Sequence, residues 1–92
     1  MKLTFRYTSQ LATAAGSSEE VVETEKNSVL LGLLRDLAAK HGPEFAKFVV
    51  DDDGNLAPTL VVAVNGSQVS IEEPVSLDSD SEVMLITPMS GG

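Results

Sequence analysis

The residues with the clearest chemical potential stand together at the end of the sequence, in the run Met89-Ser90-Gly91-Gly92. Glycine has no Cβ and takes backbone angles that other residues avoid, so a partner's groove can close tightly around Gly91 and Gly92. The carboxylate of Gly92 would then be an unhindered reacting group on a flexible stalk. The opposing interpretation is an ordinary frayed end, because chain termini are usually poorly ordered. The pattern of the tail alone leaves both interpretations open.

Other candidates for chemistry are weaker. His41 is the only histidine, and beside a helix C-terminus it is expected to interact with exposed carbonyls rather than with a metal. Residues 51–55 have the first spacings of a calcium loop, but Gly54 is misplaced and Val62 stands where a glutamate is needed, so we expect a solvated turn. Ser90 has no sequence neighbour that could serve as its base. The sequence has neither a Walker-type phosphate loop nor a dinucleotide fingerprint, so no bound cofactor is expected.

The composition restricts the classes of function. A chain of 92 residues, 42% of them hydrophobic, predicts one domain with a single core. With no cysteine, it cannot hold a disulfide framework, an iron–sulfur cluster or a thiolate zinc site. The formal charge of −8 disfavours nucleic acid and anionic membrane surfaces and favours a partner with a basic docking face. No membrane span or signal peptide is expected, which predicts a cytoplasmic protein.

The first half of the chain predicts a hairpin followed by a helix. Residues 2–7 alternate apolar and polar as in a half-buried strand, and residues 19–24 predict a second strand that returns beside it, after a loop with a short helical turn. Asn27 or Ser28 is expected to cap the following helix. Its apolar stripe comprises Leu30, Leu33, Leu34 and Leu37. Asp36 and Lys40 are spaced to pair on its other side, and Gly42-Pro43 should end it and begin a short turn that carries Phe45 and Phe48 inward.

The second half predicts two buried strands and a tight hairpin. Residues 60–64 and 83–86 are apolar on both faces, which is typical of central strands. Between them, Asn65-Gly66 is a strong hairpin signal, because both residues tolerate positive φ, and Val69 and Ile71 resume a strand. The predicted order is strand, strand, helix, strand, short strand, strand. This order favours an α+β fold in which a mixed sheet grips one main helix, the β-grasp or ubiquitin-like architecture. Another small α+β sandwich is the alternative.

Three segments carry a resemblance to a known family. The runs Val64-Asn65-Gly66, Asp78-Ser79-Asp80 and Glu82 to Gly92 together resemble the MoaD/ThiS family of ubiquitin-like sulfur carriers. The ending is similar to the Pro-x-Ser-Gly-Gly close of molybdopterin synthase small subunits, and the Leu-rich helix resembles that of archaeal small modifier proteins. Ser79 and Thr87 depart from the Asp-Gly-Asp and Pro-Pro that the family often has at these positions. These departures affect the assignment to a subfamily and do not alter the Gly-Gly tail. The resemblance implies a β-grasp domain over residues 1–88 and a flexible Gly-Gly tail over residues 89–92.

The resemblance also implies a chemistry for the tail. An E1-like adenylating enzyme of the MoeB/ThiF type would use ATP to adenylate the Gly92 carboxylate, and a sulfurtransferase would convert it to a thiocarboxylate. The carrier would then donate its sulfur to a pterin precursor in the large subunit of molybdopterin synthase, the MoaE type, during molybdenum or tungsten cofactor synthesis. Activation is needed because a C-terminal carboxyl has a pKa near 3.5 and is an unreactive anion at neutral pH. The chain itself would be a non-catalytic co-substrate.

Docking of a sheet face is expected to offset the cost of ordering the tail, roughly 1 to 2 kcal/mol for each backbone residue. Phe5, Leu60, Val62 and Pro88 are candidates for that face, although core packing is the favoured role for the first three. Pro88 would stiffen the stalk, and Met89 would offer an adaptable apolar contact as residues 89–92 enter the partner's site.

Three other functions stay open at the level of sequence. The chain could be a protein modifier whose Gly92 forms isopeptide bonds with lysines on target proteins. It could carry sulfur for thiazole or cysteine biosynthesis, although the helix and inter-strand loop are longer than expected for compact thiazole carriers. It could also be a purely structural interaction module, in which case replacing Gly91 and Gly92 would leave its function intact.

Overall fold

The computed structural model describes residues 1–70 and 75–87 as a mixed sheet packed against helices. The helices are α1 (Ser9–Ala15), α2 (Leu30–His41) and α3 (Pro43–Val49). The strands are β1 (Lys2–Tyr7), β2 (Glu19–Glu23), β3 (Ser28–Val29), β4 (Val61–Val64), β5 (Ser67–Val69), β6 (Ser76–Leu77) and β7 (Ser81–Ile86). No helix in this described part of the chain is long and apolar enough to cross a membrane.

The main sheet has five strands in the order β2-β1-β7-β4-β5. β1 pairs antiparallel with β2 and parallel with β7, while β7 also pairs antiparallel with β4. The last strand of the chain is therefore central, and its inward side chains Val83 and Leu85 are fully buried. β3 and β6 form a separate two-stranded pair that the sequence did not predict. The predicted β-grasp architecture is confirmed.

Helix α2 packs its apolar stripe on the sheet as predicted, but it begins differently. Leu30, Leu34 and Leu37 are buried and Leu33 is partly buried. The prediction of a cap at Asn27 or Ser28 is wrong, because the cap position is Val29 and no side chain bonds to the first turn. Instead, the backbone N–H of Leu30 donates to the carbonyl of Val75, 2.8 Å away, so tertiary pairing satisfies a donor that a capping side chain would otherwise serve.

The two short helices contact each other, and each buries residues in the core. The loop expected after β1 contains more helix than predicted, since α1 runs for two turns and buries Leu11 before Gly16 ends it at φ 83°. Pro43 begins α3 as predicted, and Phe45 is fully buried while Phe48 is partly buried. Lys40 pairs with Glu20 of β2 rather than with Asp36.

Both predicted turns are present. Asp51 Oδ1 accepts hydrogen bonds from the backbone N–H groups of Asp53, at 2.9 Å, and Asn55, at 3.0 Å. Asn65 and Gly66 have φ values of 51° and 85°, the positive angles that a tight two-residue hairpin requires. Asn65 also ties this hairpin to β7, because its N–H donates to the Glu82 carbonyl and its side-chain oxygen accepts from the Glu82 N–H. Ile71 lies outside the described residues.

Candidate functional site

The candidate site begins where β7 delivers the chain to its last residues. β7 is held on both sides, with Leu85 opposite Tyr7 of β1 and Val62 of β4. The Thr8 hydroxyl donates to the Leu85 carbonyl at 3.2 Å, which adds a side-chain tie at the same point. Thr87 follows with its side chain buried, and among the described residues its hydroxyl has no hydrogen-bond partner. The predicted site residues Pro88, Met89, Ser90, Gly91 and Gly92 lie outside the described residues.

The three predicted docking residues are core residues in this structure. Phe5, Leu60 and Val62 are 0%, 3% and 0% exposed. Their side chains cannot line a surface, so the docking prediction is wrong for them and the core alternative is confirmed. The reason is strand alternation: Phe5 and Val62 occupy the positions whose side chains face the helices.

The face of the sheet away from the helices carries a different apolar set close to the end of β7. We call this set the outer patch, and its members are Val61, Ala63, Met84 and Ile86, each partly exposed. Register brings them together, because Val61 lies opposite Ile86 and Ala63 lies opposite Met84. Strand alternation is the sequence signal that could have predicted part of this set. Once Val62 is assigned to the core, its neighbours Val61 and Ala63 must face outward.

Charged side chains border the outer patch on the β1 side. Arg6 lies opposite Met84 in the parallel register. Its Nε is 2.9 Å from Glu82 Oε2, and both side chains are nearly half exposed. An exposed pair of this kind contributes little to stability, but it places one cation and one anion beside an apolar surface. An apolar centre with a polar border is the usual composition of a protein-binding surface.

A cluster of hydrogen-bonded side chains, which the sequence did not predict, surrounds Glu20 at the same end of the sheet. Glu20 Oε1 accepts from the Tyr7 hydroxyl at 2.6 Å and lies 2.7 Å from His41 Nε2, while Oε2 pairs with Lys40. A carboxylate can only accept, so His41 Nε2 must carry a hydrogen. The rings of Tyr7, His41 and Phe45 pack on one another, with centroids 4.8 to 6.2 Å apart. His41 therefore binds a side chain rather than the helix carbonyls.

The Glu20 cluster changes the acidity of its members. Partial burial opposes ionisation of Glu20, but hydrogen bonds from Lys40, Tyr7 and His41 outweigh it and lower the pKa of Glu20 to about 2. Burial raises the pKa of Tyr7 far above its ordinary value, and the hydrogen bond to Glu20 and its negative charge act in the same direction. Glu20 is thus an anion and Tyr7 a neutral donor throughout the physiological range. In the described part of the chain, no group of three or more acidic, histidine or cysteine residues could hold a metal ion.

Fold and site together define a ubiquitin-like β-grasp protein whose central last strand leads directly into its final residues. A sequence model of the ThiS family matches residues 5–92, and the chain belongs to that family. The match includes the final residues that the structure does not describe.

Solved structures support this assignment. The SAMP1 protein from Haloferax volcanii is 27% identical, with a TM-score of 0.84 over 100% of both chains. A Pyrococcus furiosus protein described as molybdopterin converting factor, subunit 1, is 26% identical, with a TM-score of 0.68 over 97% of this chain and 99% of that one. Urm1 from Trypanosoma brucei is 21% identical and shares the fold, with a TM-score of 0.79 over 99% and 95%. No functionally curated protein matches the sequence significantly.

Proposed function

We propose that this chain is a sulfur carrier that serves as the small subunit of molybdopterin synthase. Its reacting group is the carboxylate of Gly92. The observation that carries the proposal is the ThiS family match, which extends through residue 92 and so includes Gly91 and Gly92. Similarity to a protein described as molybdopterin converting factor, subunit 1, supports the choice of pathway.

The chemistry needs two activation steps, and partner proteins supply both. A Gly92 carboxylate oxygen attacks the α-phosphorus of ATP in an E1-like enzyme and releases pyrophosphate. The terminal sulfur of a persulfide on a sulfurtransferase then displaces AMP and forms an acyl disulfide. A thiol reduces this disulfide, is itself oxidised to a disulfide, and releases the thiocarboxylate. The thiocarboxylate sulfur attacks a carbon of the cyclic-phosphate-bearing pterin precursor in the large subunit, displaces the phosphate oxygen from that carbon and forms a thioester. Water then cleaves the thioester, which leaves the sulfur on the pterin and returns Gly92 to a carboxylate. ATP is bound by the activating enzyme, and the chain itself is not a catalyst.

The outer patch is the proposed docking surface for these partners. It replaces Phe5, Leu60 and Val62 in that role, because it is the apolar part of the sheet face beside the end of β7 that is partly exposed. Burying such a surface is worth roughly 25 cal/mol for each Å² of apolar area. This gain offsets the entropy lost when residues 88–92 are ordered in the partner's site. Ile86 is the last residue of β7 and lies opposite Val61, so the outer patch reaches the end of this strand.

The test is intact-mass spectrometry after incubation with ATP, an E1-like enzyme and a sulfur donor. We expect a gain that matches replacement of one oxygen by sulfur, and its loss in a chain that lacks Gly92. The deletion variant must keep the circular dichroism spectrum and thermal unfolding of the parent, so that the loss reports chemistry rather than folding. No mass gain with several competent activating enzymes would overturn the proposal.

Similarity to SAMP1 over the full length of both chains favours a second candidate, a protein modifier joined through Gly92 to lysines on target proteins. Both candidates need adenylation of Gly92, so they share the first step and differ in the acceptor. Mass spectrometry of digests from the native host with a glutamate-specific protease distinguishes them, because cleavage after Glu82 would leave residues 83–92 on a modified lysine. Lysine-linked remnants of this chain's tail would support the modifier, while thiocarboxylate without such remnants would support the sulfur carrier. Sulfur transfer to a thiazole or cysteine precursor would leave the carrier chemistry in place and change its pathway.

A further inference from the structure

Strand β2 is an edge of the main sheet, and its hydrogen-bonding groups can be assigned residue by residue. Met1 and Thr24 exchange two backbone hydrogen bonds, of 2.6 and 2.9 Å, and at the other end the Tyr7 N–H donates to the Ser18 carbonyl. In an antiparallel pair, hydrogen-bonded and non-hydrogen-bonded positions alternate. Glu19, Val21 and Glu23 are therefore non-hydrogen-bonded positions toward β1. Their N–H and C=O groups point to the open edge.

The side chains along this edge offer apolar contacts on both faces of the sheet. Val21 points outward and is 54% exposed. In the described residues two large hydrophobic side chains are exposed, and Val21 is the more exposed of them. Val22 points toward the helices, where it lines a groove of about 220 Å³ between β2 and α2. The apolar side chains that line the groove are Val22, Leu33 and Leu37, and they lie beside the fully buried Phe5. A strand added beside β2 would place alternate side chains over Val21 and into this groove.

The charges around the edge select the chemistry of such a strand. Glu19 and Glu23 flank Val21 on the outward face, and Asp36 lies with Glu23 at the border of the groove. Among residues 1–70 and 75–87, Lys40 is the one cation that lines the groove, and it is already paired with Glu20. In a chain of net charge −8, the acidic edges of two copies would repel each other. The favoured occupant is therefore a basic segment of a different protein.

We propose that β2 is a binding site for an extended basic segment of a partner protein, which joins the sheet as an additional antiparallel strand. The segment places one apolar residue over Val21, a second opposite Val22 in the groove, and basic residues opposite Glu19 and Glu23. Strand addition of this kind obtains affinity from main-chain hydrogen bonds and specificity from alternate side chains. β1 separates this site from the outer patch, and the site does not involve Gly92. Failure of the proposal would leave the proposed function unaffected.

The direct test is an NMR titration of the full-length, 15N-labelled protein with an acetylated, amidated peptide, Gly-Ser-Lys-Val-Ile-Ser-Lys-Ser-Gly. In antiparallel register its two lysines face Glu23 and Glu19, its isoleucine faces Val21 and its valine enters the groove. We expect amide shifts confined to β2 and the facing side of α2, with slowed hydrogen exchange at Val21 and Glu23. Shifts centred on β4 and β7, or no saturable shifts at the highest soluble peptide concentration, would overturn the proposal.

Proline at position 21 provides a backbone-specific variant. The Val21 N–H points away from β1, so Val21→Pro removes a donor at the open edge without removing a bond of the β1–β2 ladder. We expect it to weaken peptide binding by about tenfold or more, since a lost main-chain bond and the proline ring both oppose strand addition. Val21→Thr keeps the N–H and the β-branch and is the matched control. Equal binding by the proline and threonine variants, each with a native-like spectrum, would contradict strand addition.

A charge-reversed peptide tests the electrostatic part. Replacing both lysines of the peptide by glutamate should abolish the shifts, and Glu19→Lys with Glu23→Lys in the protein should restore binding of that acidic peptide. High salt should weaken binding of the basic peptide, because salt screens the exposed charged contacts between its lysines and the glutamates. Equal binding of the two peptides to the wild-type protein would show that the acidic residues only guard the edge, and it would overturn the choice of a basic partner.

Discussion

The Glu20 side chain connects β2 with both β1 and α2. The Glu20 backbone belongs to β2. Its carboxylate contacts the side chain of Tyr7 on β1 and the side chains of Lys40 and His41 at the end of α2. The cluster thereby fixes the hairpin against the helix layer at the end of the sheet where β7 also finishes. Removing the anion would leave a partly buried phenol and two cationic or polar groups without their shared acceptor.

The Glu20 cluster predicts a specific pH dependence. The pKa of the Glu20 carboxyl, about 2, lies below its ordinary value of 4.5. The contribution of the ionised carboxylate to folding stability is therefore fully present above pH 4.5 and is lost as pH falls toward 2. Glu20→Gln should lower the free energy of unfolding at pH 7 by about 1 to 2 kcal/mol and make it less dependent on pH between 4.5 and 2. Urea unfolding of both proteins across this range measures the difference.

Glu19→Gln is the matched control for this experiment. Glu19 is the sequence neighbour, but its side chain is on the exposed face of β2. Its substitution should change the free energy of unfolding by no more than about 0.5 kcal/mol. If Glu19→Gln and Glu20→Gln shifted the acid limb of stability equally, the cluster would not be the source of the pH dependence.

At the scale of elements, substitutions at two glycines can distinguish the effect of backbone conformation from the effect of packing. A Cβ added at Gly66 or at Gly32 would meet no atom within 4 Å, but Gly66 has φ of 85° in the hairpin while Gly32 lies within α2. Gly66→Ala should therefore destabilise the fold by about 1 to 2 kcal/mol, and Gly32→Ala should stabilise it by about 0.5 to 1 kcal/mol. Chemical denaturation of the two variants checks the opposite signs. A loss of stability in both would indicate hidden packing constraints.

Adjacent valines on β4 test the distinction between core and docking surface. Val62→Ala should cost about 1 to 3 kcal/mol of folding stability, because the Val62 side chain is fully buried. Val61→Ala should leave stability nearly unchanged yet weaken assembly with the proposed partner, the large subunit of molybdopterin synthase, since Val61 belongs to the outer patch. Denaturation curves and isothermal titration calorimetry give the two quantities for each variant. Intact assembly in Val61→Ala would contradict the assignment of the docking face.

Sequence pattern predicted those elements whose signals are local. The alternation in β1, the leucine spacing of α2, Asn65-Gly66 and the doubly apolar β7 each appear in the structure. The start of α2 could not be predicted locally, because its first N–H is satisfied by Val75 from a distant segment. The Glu20 cluster joins residues 13 to 21 positions apart. Predicting the outer patch requires knowing which residues of β4 face the helices. Two consecutive valines, Val61 and Val62, do not show which of them faces inward.

At the scale of the whole molecule, the formal charge of −8 predicts how the protein meets its partners. Long-range attraction raises the association rate with a basic surface and affects the dissociation rate much less. We expect the association rate constant with the E1-like enzyme to fall by about tenfold or more as salt increases, with little change in the dissociation rate constant. Stopped-flow fluorescence at several ionic strengths measures both. A salt-independent association rate would assign the acidity to solubility alone.

The parallel pairing of β1 with β7 also has a mechanical consequence. Because Leu3 lies opposite Ser81 and Tyr7 opposite Leu85, a pull applied between Met1 and Thr87 acts along the two strands in opposite directions. The hydrogen bonds that join the strands would then share the load and would have to break together, whereas a perpendicular pull would open them one at a time. In the proposed carrier role, tension between Met1 and the C-terminal end of β7 would therefore act in the direction in which the β1–β7 pairing resists separation best.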